Sequence, residues 1–277
     1  MRVDEMLPGW RSDAFLHRFD ATLVERDDVL VVRTPACPDF YWGNFLLLPR
    51  APRDESLAHW LERFAAEVAS GQPECRHVAI GINAAPAGEA LPTWVAADFE
   101  RHELTVLSLA ARDLVAPLRP LPEGAVVKPV RLDAEMDELI ALQCSDIDGF
   151  EPRGYERHRR RQMARFAAMA AAGRAQWFGL WRNDVLVAGC GLMREGDTGR
   201  FQQVETHPAW RRRGLCTGLV HAVSRWAFSS WGLTRLLMGA DPHDVAIGIY
   251  RGLGYRPMSS QWSLQRRAPQ DRSPAAA

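Results

Sequence analysis

Three consecutive arginines followed by a glycine are the residues of this chain that indicate a specific chemical role most clearly. Arg211, Arg212 and Arg213 precede Gly214, where a strand pattern gives way to a helical one. The N–H groups at the start of a helix have no partner within it, and the helix dipole there favours negative charge. Glycine lets the main chain approach a ligand closely, and arginine attracts anions. The pattern predicts a site for a phosphate or a pyrophosphate.

Two common phosphate-binding motifs do not fit this turn. A Walker A loop requires Gly-Lys followed by Ser or Thr, and no lysine follows Gly214. A dinucleotide-binding loop requires three glycines, whereas the turn has Gly214 and Gly218 alone. An ordinary turn with a solvated basic edge is the alternative.

The turn resembles the acyl-CoA-binding motif of the GNAT superfamily of N-acyltransferases. That motif has an apolar strand, a proline, two residues, Arg/Gln-x-x-Gly-x-Gly/Ala and then Ser or Thr. Pro208, Arg211, Gly214 and Thr217 fall in register with it. Cys216 stands at the second small position, which is a departure from Gly or Ala that keeps a small side chain.

A second segment resembles the later motif of the same family, in which Ala-x-x-Leu-Tyr precedes a glycine and an aromatic residue. Ala246, Tyr250, Gly254 and Tyr255 occupy the corresponding positions, and His243 stands where the family usually has Asn. The two motifs occur in the family's order and at a compatible distance. The resemblance covers residues 125–267, about half of the chain.

The resemblance implies acetyl-CoA as co-substrate, no metal, and a set of site residues. Tyr250 is implied as the general acid at the CoA sulfur, since the pKa of a phenol, near 10, resembles that of a thiol. A buried structural tyrosine is the alternative. The implied cofactor-binding residues are Val204, Thr206, Arg211, Arg212, Arg213, Gly214, Leu215, Cys216, Thr217 and His243.

One carboxylate on the strand before the turn is the first candidate for a general base. Strand alternation predicts Gln203 and Glu205 on one face, and Gln202, Val204 and Thr206 on the other. Glu205 is the only carboxylate among them. A salt-bridged surface glutamate and a bound-water relay are the alternatives.

The acceptor side is indicated by an acidic loop. Residues 144–151 carry Asp146, Asp148, Phe150 and Glu151. In GNAT folds this loop lines the acceptor entrance, where acids would attract a cationic amine. A helix cap with solvated acids is the equally weighted alternative. The basic run 157–161 is expected to be a solvated helix face.

Composition excludes several classes of protein. Thirty-four basic and 34 acidic residues give no net charge, which argues against a general affinity for nucleic acid. No run of 18 apolar residues occurs, so no membrane partner is expected, and residues 1–5 lack the start of a signal peptide. Five scattered cysteines without zinc-like pairing with histidine indicate reduced thiols in a cytoplasmic protein.

The chain divides at a proline-rich segment, 117–124, which we interpret as a linker. Residues 125–267 are expected to form the GNAT domain, and 268–277 a disordered tail. The elements predicted in the domain are strands at 126–131, 176–182, 185–194, 200–206, 235–240 and 258–265, and helices at 134–143, 154–172 and 215–230.

The first half, 1–116, echoes the second in its apolar pattern. Segment 57–64 resembles 219–226, and 77–82 parallels 235–239 as the following strand. In place of the phosphate turn it has 49–55, where two prolines lack N–H donors and two acids would repel phosphate. We interpret 1–116 as a degenerate GNAT-like domain without cofactor binding; an unrelated α+β domain is the alternative.

The expected fold class is therefore α+β, with a mixed, mostly antiparallel sheet flanked by helices, in two tandem GNAT-like domains. The expected activity is N-acetyl transfer from acetyl-CoA to a small-molecule amine, in a chain that is a monomer or a homodimer. A non-catalytic acyl-CoA-binding module and an O-acyltransferase are the alternatives.

Overall fold

A computed structural model describes residues 1–85, 88–147 and 149–271 of the chain. The helices are α1 Pro8–Asp20, α2 Leu57–Phe64, α3 Pro92–Ala96, α4 Met136–Gln143, α5 Pro152–Ala171, α6 Leu215–Ser230 and α7 Val245–Gly252. The strands are β1 Thr22–Glu25, β2 Leu30–Arg33, β3 Phe45–Leu48, β4 Val78–Ile82, β5 Glu100–Ala110, β6 Ala125–Pro129, β7 Ala175–Arg182, β8 Val185–Glu195, β9 Thr198–Thr206, β10 Arg235–Ala240 and β11 Arg256–Arg266.

The fold class is the mixed α/β one expected. The nine elements predicted within 125–267 are all present, with ends displaced by at most two residues. In the part of the chain that the structure describes, no helix is both long and apolar enough to span a bilayer. Of the predicted tail, Pro269–Asp271 forms a short 3₁₀ turn, and 272–277 lie outside the described residues.

The chain folds as two compact units. Unit 1 comprises Met1–Leu104, Gly149–Gln162 and Ser259–Ala277, and unit 2 comprises Thr105–Asp148 and Met163–Met258. These limits differ from the predicted division at 117–124, because the last strand of each half pairs outside its own half. From Thr105 to Ala110, β5 pairs antiparallel with β10, and from Trp262 to Arg266, β11 pairs antiparallel with β4. The assignment of the two halves as separate domains stays a prediction.

Unit 1 has the strand order β1-β2-β3-β4-β11. Its strands β3 and β4 are parallel and are connected through α2. Unit 2 repeats this arrangement with parallel β9 and β10 connected through α6. The shared strand–helix–strand arrangement accords with the echo between 57–64 and 219–226.

Unit 2 has the strand order β5-β10-β9-β8-β7-β6 and carries the predicted phosphate turn. Its α6 covers one face of the sheet because Leu215, Leu219 and Val223 recur at helical spacing, and all three are buried. Trp226 continues the stripe and makes an edge-on ring contact with Phe178 of β7. This packing fixes the start of α6 beside the end of β9.

A β-bulge interrupts β9. Glu205 pairs with Gly189 and Gln202 pairs with Gly191, so two residues of β9 oppose one residue of β8 between these pairs. Gln203 takes a left-handed φ of 47° there. Paired residues share a face, so Gln202 lies on the face of Glu205. The alternation predicted for β9, which placed these residues on opposite faces, is wrong for this reason.

Candidate functional site

The predicted phosphate turn is an open main-chain cradle. Arg212 and Gly214 both have left-handed φ values, 61° and 75°, and Gly214 is the N-cap of α6. Hydrogen bonding within α6 begins at the N–H of Gly218, which donates to the Gly214 carbonyl at 3.0 Å. The preceding N–H groups have no partner within the helix. A Cβ at Gly214 would meet no heavy atom of the described residues within 4 Å, so an anion has room to approach.

The neighbouring strand edge is open for part of its length. The parallel pairing of β10 with β9 runs from Thr198 to Arg200, although β9 continues to Thr206. Beyond that point β10 pairs with β5 only, through Ala240. The two strands therefore separate before the turn. Within the ranges that the structure describes, the hydroxyl oxygen of Thr206 is buried without a hydrogen-bond partner, which marks a polar atom at this edge that a ligand could satisfy.

A cavity of about 730 Å³ in unit 2 joins the turn to this strand edge. That volume lies within the range of small-molecule binding sites, about 300–1,000 Å³. Its lining residues are Leu142, Ser145, Asp146, Val204, Glu205, Thr206, Trp210, Arg211, Arg212, Gly214, Leu215, Cys216, Thr217, Asp244, Val245, Ala246, Ile249 and Tyr250.

Most of the residues predicted from the sequence meet at this cavity. Both predicted catalytic residues, Tyr250 and Glu205, line it, as do eight of the ten predicted cofactor-binding residues. Arg213 and His243 are not among the described lining residues. The guanidinium of Arg213 lies 4.8 Å from the ring centroid of Trp210, and His243 is exposed and donates its N–H to Asp241 Oδ1 at 2.7 Å.

Arg211 connects three parts of the site. Its Nε donates to the carbonyl of Thr206 at 3.2 Å, which fixes the side chain against the end of β9. Its Nη2 forms an ion pair with Asp146, in the loop after α4. Both side chains of that pair are about half exposed, so the pair contributes little to stability and is open to competition from another anion.

The acids of the loop lie in two different environments. Asp146 lines the cavity, and a role at the acceptor entrance stays a prediction. Glu151 instead accepts from the N–H groups of Arg153 and Gly154 at 3.0 and 2.6 Å, which caps α5 as the alternative predicts. Asp148 lies outside the described residues.

Tyr250, on α7, lines the cavity and is buried, with 6% of its surface exposed. Burial raises the pKa of its phenol, and Cys216, Cys190 and Asp244 nearby raise it further. The hydroxyl therefore stays protonated well above neutral pH and is able to donate. Burial also raises the pKa of the Cys216 thiol to about 11, so that this thiol is neutral at physiological pH.

Glu205 is half-buried at the end of β9 and lies across from Gly189 of β8. A Cβ on Gly189 would approach the side chains of Trp177 and Leu142 to 3.2 and 3.3 Å, so glycine lets these two side chains pack closely against the strand. The carboxylate of Glu205 contributes to the raised pKa of the buried Cys190 thiol. Its charge therefore acts within the site.

Asp244 is a lining residue that the sequence analysis missed. It is the N-cap of α7, and its Oδ1 accepts from the Ala246 N–H at 2.7 Å. Its charge contributes to the raised pKa of both Tyr250 and Cys216. The signal was present in the sequence, since an aspartate directly before the apolar run 245–250 is a typical helix N-cap.

This chain is similar to known proteins both in sequence and in fold. The model of the acetyltransferase (GNAT) family matches residues 139–255, and no curated protein sequence matches the chain. A functionally unknown conserved protein from Staphylococcus epidermidis superposes with a TM-score of 0.69 at 12% identity, over 90% of this chain and 95% of its own.

Two further solved structures are GNAT proteins by name. A GCN5-related N-acetyltransferase from Kribbella flavida gives a TM-score of 0.62 at 18% identity, over 92% of this chain and 93% of its own. A tandem GNAT protein from the clavulanic acid biosynthesis pathway gives 0.51 at 14% identity, over 79% and 72%. The fold is one that supports acyl-CoA-dependent N-acetyl transfer in general. Residues 139–255 of this chain therefore form a domain of the GNAT acetyltransferase family.

Proposed function

We propose that this protein transfers the acetyl group of acetyl-CoA to a primary amine of a small molecule, by direct attack of the amine in a ternary complex. One observation carries the proposal. The open cradle at Gly214 leads into a cavity that also holds a protonated, buried phenol, Tyr250, and a half-buried carboxylate, Glu205. An anion site, an acid and a base in one cavity are the groups that acyl transfer from a phosphorylated thioester carrier requires.

The residues present fit the co-substrate. The N–H groups at the start of α6 and the left-handed Arg212 and Gly214 would hold the pyrophosphate, with Arg211 adding charge. The free edge of β9 at Val204 and Thr206 would bond the pantetheine amides, because its main-chain groups have no strand partner on that side in the described pairing. The side chain of Cys216, beside them on α6, is small enough to leave this part of the cavity open.

The reaction needs two proton movements, and a residue of the cavity is suited to each. Glu205, or a water bound to it, takes the proton of the attacking ammonium group. The amine nitrogen then bonds to the thioester carbonyl carbon, and the C–S bond breaks. Tyr250 gives its proton to the departing CoA sulfur and regains one through solvent, to which the acylated nitrogen releases its second proton. Main-chain N–H groups at the end of β9 stabilise the negative charge that develops on the carbonyl oxygen.

The charges around the cavity favour a cationic acceptor. Asp146, Glu205 and Asp244 all line it, and Asp146 is paired with Arg211. The cofactor's pyrophosphate would compete with Asp146 for that arginine. A released Asp146 carboxylate is then available to an ammonium group at the cavity entrance.

The test is turnover with acetyl-CoA and a panel of small primary amines, following release of free CoA thiol. We expect acetyl-CoA-dependent turnover in the wild type and a kcat about 10²-fold lower in Tyr250→Phe, the range for loss of a general acid. The Kd of acetyl-CoA should stay within about threefold, since the phenyl ring is retained. Unchanged turnover would remove Tyr250 from the mechanism, and binding without turnover of any amine would favour the non-catalytic alternative. Glu205→Gln, tested alongside, should lower kcat with a similar Kd.

A further inference from the structure

A second cluster of chemically active side chains lies in unit 1, whereas the cavity at Gly214 belongs to unit 2. Cys37 and Asp39 belong to the loop between β2 and β3, and His158 to the first half of α5. One ligand atom of each, the Sγ, a carboxylate oxygen and Nδ1, lie within 4.8 Å of one another. A soft sulfur, an imidazole nitrogen and a carboxylate oxygen are the donor types that zinc binds in proteins.

The two spacings to Asp39 match the edges of a tetrahedral metal site. Asp39 Oδ1 lies 3.4 Å from Cys37 Sγ and 3.5 Å from His158 Nδ1. With zinc–ligand distances of about 2.0–2.3 Å, the edges of a coordination tetrahedron are about 3.3–3.8 Å. Among the described residues, His158 Nδ1 is buried and makes no hydrogen bond of good geometry. An ion between the three atoms would give this nitrogen a ligand bond.

The loop that presents Cys37 and Asp39 is held rigid by one buried amide. Asn44 is fully buried; its Oδ1 accepts from the Thr34 N–H at 2.8 Å, and its Nδ2 donates to the carbonyls of Cys37 and Phe40 at 2.9 and 3.0 Å. The Cys37 N–H in turn donates to the Thr34 carbonyl at 2.9 Å. A loop fixed in this way presents its ligands without the entropic cost of ordering them on binding.

The carboxylate of Asp39 is oriented by a neighbouring arginine. Arg161 Nη1 lies 3.4 Å from its other oxygen, Oδ2, and 2.7 Å from Glu74 Oε2, so Arg161 is itself held in place. Oδ1 is thereby left directed at Cys37 and His158. A partner that orients a ligand from the second oxygen is typical of zinc sites.

The charges balance when the ion is present. A thiolate at Cys37 and the Asp39 carboxylate neutralise Zn²⁺, while Arg161 is neutralised by Glu74. Cys37 is fully buried, but the side chains of Asp39 and His158 are 25% and 19% exposed, so water can reach a fourth position. The basic run 157–161 is thus not wholly a solvated helix face, since His158 faces this cluster and Arg159 is buried.

We propose that unit 1 binds one Zn²⁺ ion through Cys37 Sγ, Asp39 Oδ1 and His158 Nδ1, with water as the fourth ligand. Binding displaces the thiol proton of Cys37 to solvent and any proton on His158 Nδ1. No other bond changes, and no electron is transferred. The ion would join α5 to the β2–β3 loop. Cysteine spacing alone does not indicate such a site, because its ligands come from segments far apart in the sequence.

The test is metal content of the untagged full chain, dialysed against Zn²⁺ and measured by mass spectrometry of the elements. We expect about one zinc per chain in the wild type and at least a tenfold loss of zinc affinity in Cys37→Ser and Asp39→Asn, the lower end of losses at metal sites. Cys75→Ser is the matched control, because Cys75 is also buried in unit 1 and lies 3.9 Å from a histidine, His77, without belonging to the cluster. It should keep its zinc.

Cobalt gives a second readout, and its result in the wild type does not depend on the folding of any variant. Co²⁺ bound to a thiolate absorbs in the near ultraviolet, and we expect this band in the wild type and in Cys75→Ser but not in Cys37→Ser. Folded wild-type protein that takes up neither zinc nor cobalt would overturn the proposal and leave a hydrogen-bonded cluster. So would a wild-type zinc affinity in Cys37→Ser or Asp39→Asn.

Discussion

Substitution of Gly214 separates ligand binding at the turn from the stability of the fold. Its φ of 75° is left-handed, and an added Cβ would meet nothing within 4 Å. Gly214→Asp therefore costs conformational strain alone, about 1 kcal/mol. For a domain of this size that lowers Tm by about 2–4 °C. The variant should fold.

The effect on the ligand is larger. A carboxylate at position 214 projects into the space where the pyrophosphate would lie. Two unit charges about 5 Å apart repel by about 3 kcal/mol at an effective dielectric constant of 20, and solvent screening at this exposed turn reduces that to roughly 2 kcal/mol. We expect the Kd of acetyl-CoA to rise about 30-fold.

Gly232, at the other end of α6, is the matched control. It has a φ of 64° and equally open space around its Cα, but it is not among the residues that line the cavity. Gly232→Asp should cost similar stability and leave the Kd unchanged, while Gly214→Asn separates charge from size at the turn. Isothermal titration with acetyl-CoA gives the three constants. Equal affinity losses at the two glycines, or none at Gly214, would refute the reasoning.

Three further predictions concern groups in the same cavity. Asp146→Asn should tighten acetyl-CoA binding in titration calorimetry, because the ligand no longer competes with Asp146 for Arg211. The half-exposed ion pair contributes at most about 1 kcal/mol, so the gain in affinity should be at most about fivefold. Weaker binding would contradict this. Tyr250 acts in its protonated form, and burial raises its pKa above the usual 10.0. Loss of the Tyr250 proton should therefore not lower kcat between pH 7 and 10. A fall in the pH profile of kcat within that range, present in the wild type and absent in Tyr250→Phe, would contradict this. The pKa of Cys216, about 11, leaves roughly one thiolate in a thousand at pH 8, so iodoacetamide should label this cysteine far more slowly than a free thiol when followed by peptide mass mapping; rapid labelling would show that the thiol is not desolvated.

The sequence predicted the parts of the site that are encoded locally. The turn at Gly214 is recognisable because a left-handed N-cap requires glycine and because the apolar residues of α6 follow at helical spacing. The same holds for Tyr250, which lies at a fixed distance from Ala246 on a single helix, α7. Where one short segment sets the geometry, the residue pattern was sufficient.

The features that the sequence did not predict depend on partners far along the chain. The bulge at Gln203 arises because β9 must keep its register with β8 on both sides of the site, and nothing in the residue itself signals a left-handed φ. The pairing of β5 with β10 and of β11 with β4 involves apolar strands that fit more than one neighbour. The ion pair of Asp146 with Arg211 joins residues whose proximity follows only from the complete sheet.

The most direct test of the account is hydrogen–deuterium exchange of the wild-type chain with and without acetyl-CoA. The N–H groups at the start of α6 and along the open edge of β9 are the proposed contacts of the co-substrate. Exchange should therefore slow most strongly in peptides covering 204–217, and segment 49–55 of the first half should not change. Protection confined to other segments, or absent at saturating acetyl-CoA, would contradict the placement of the co-substrate at this turn.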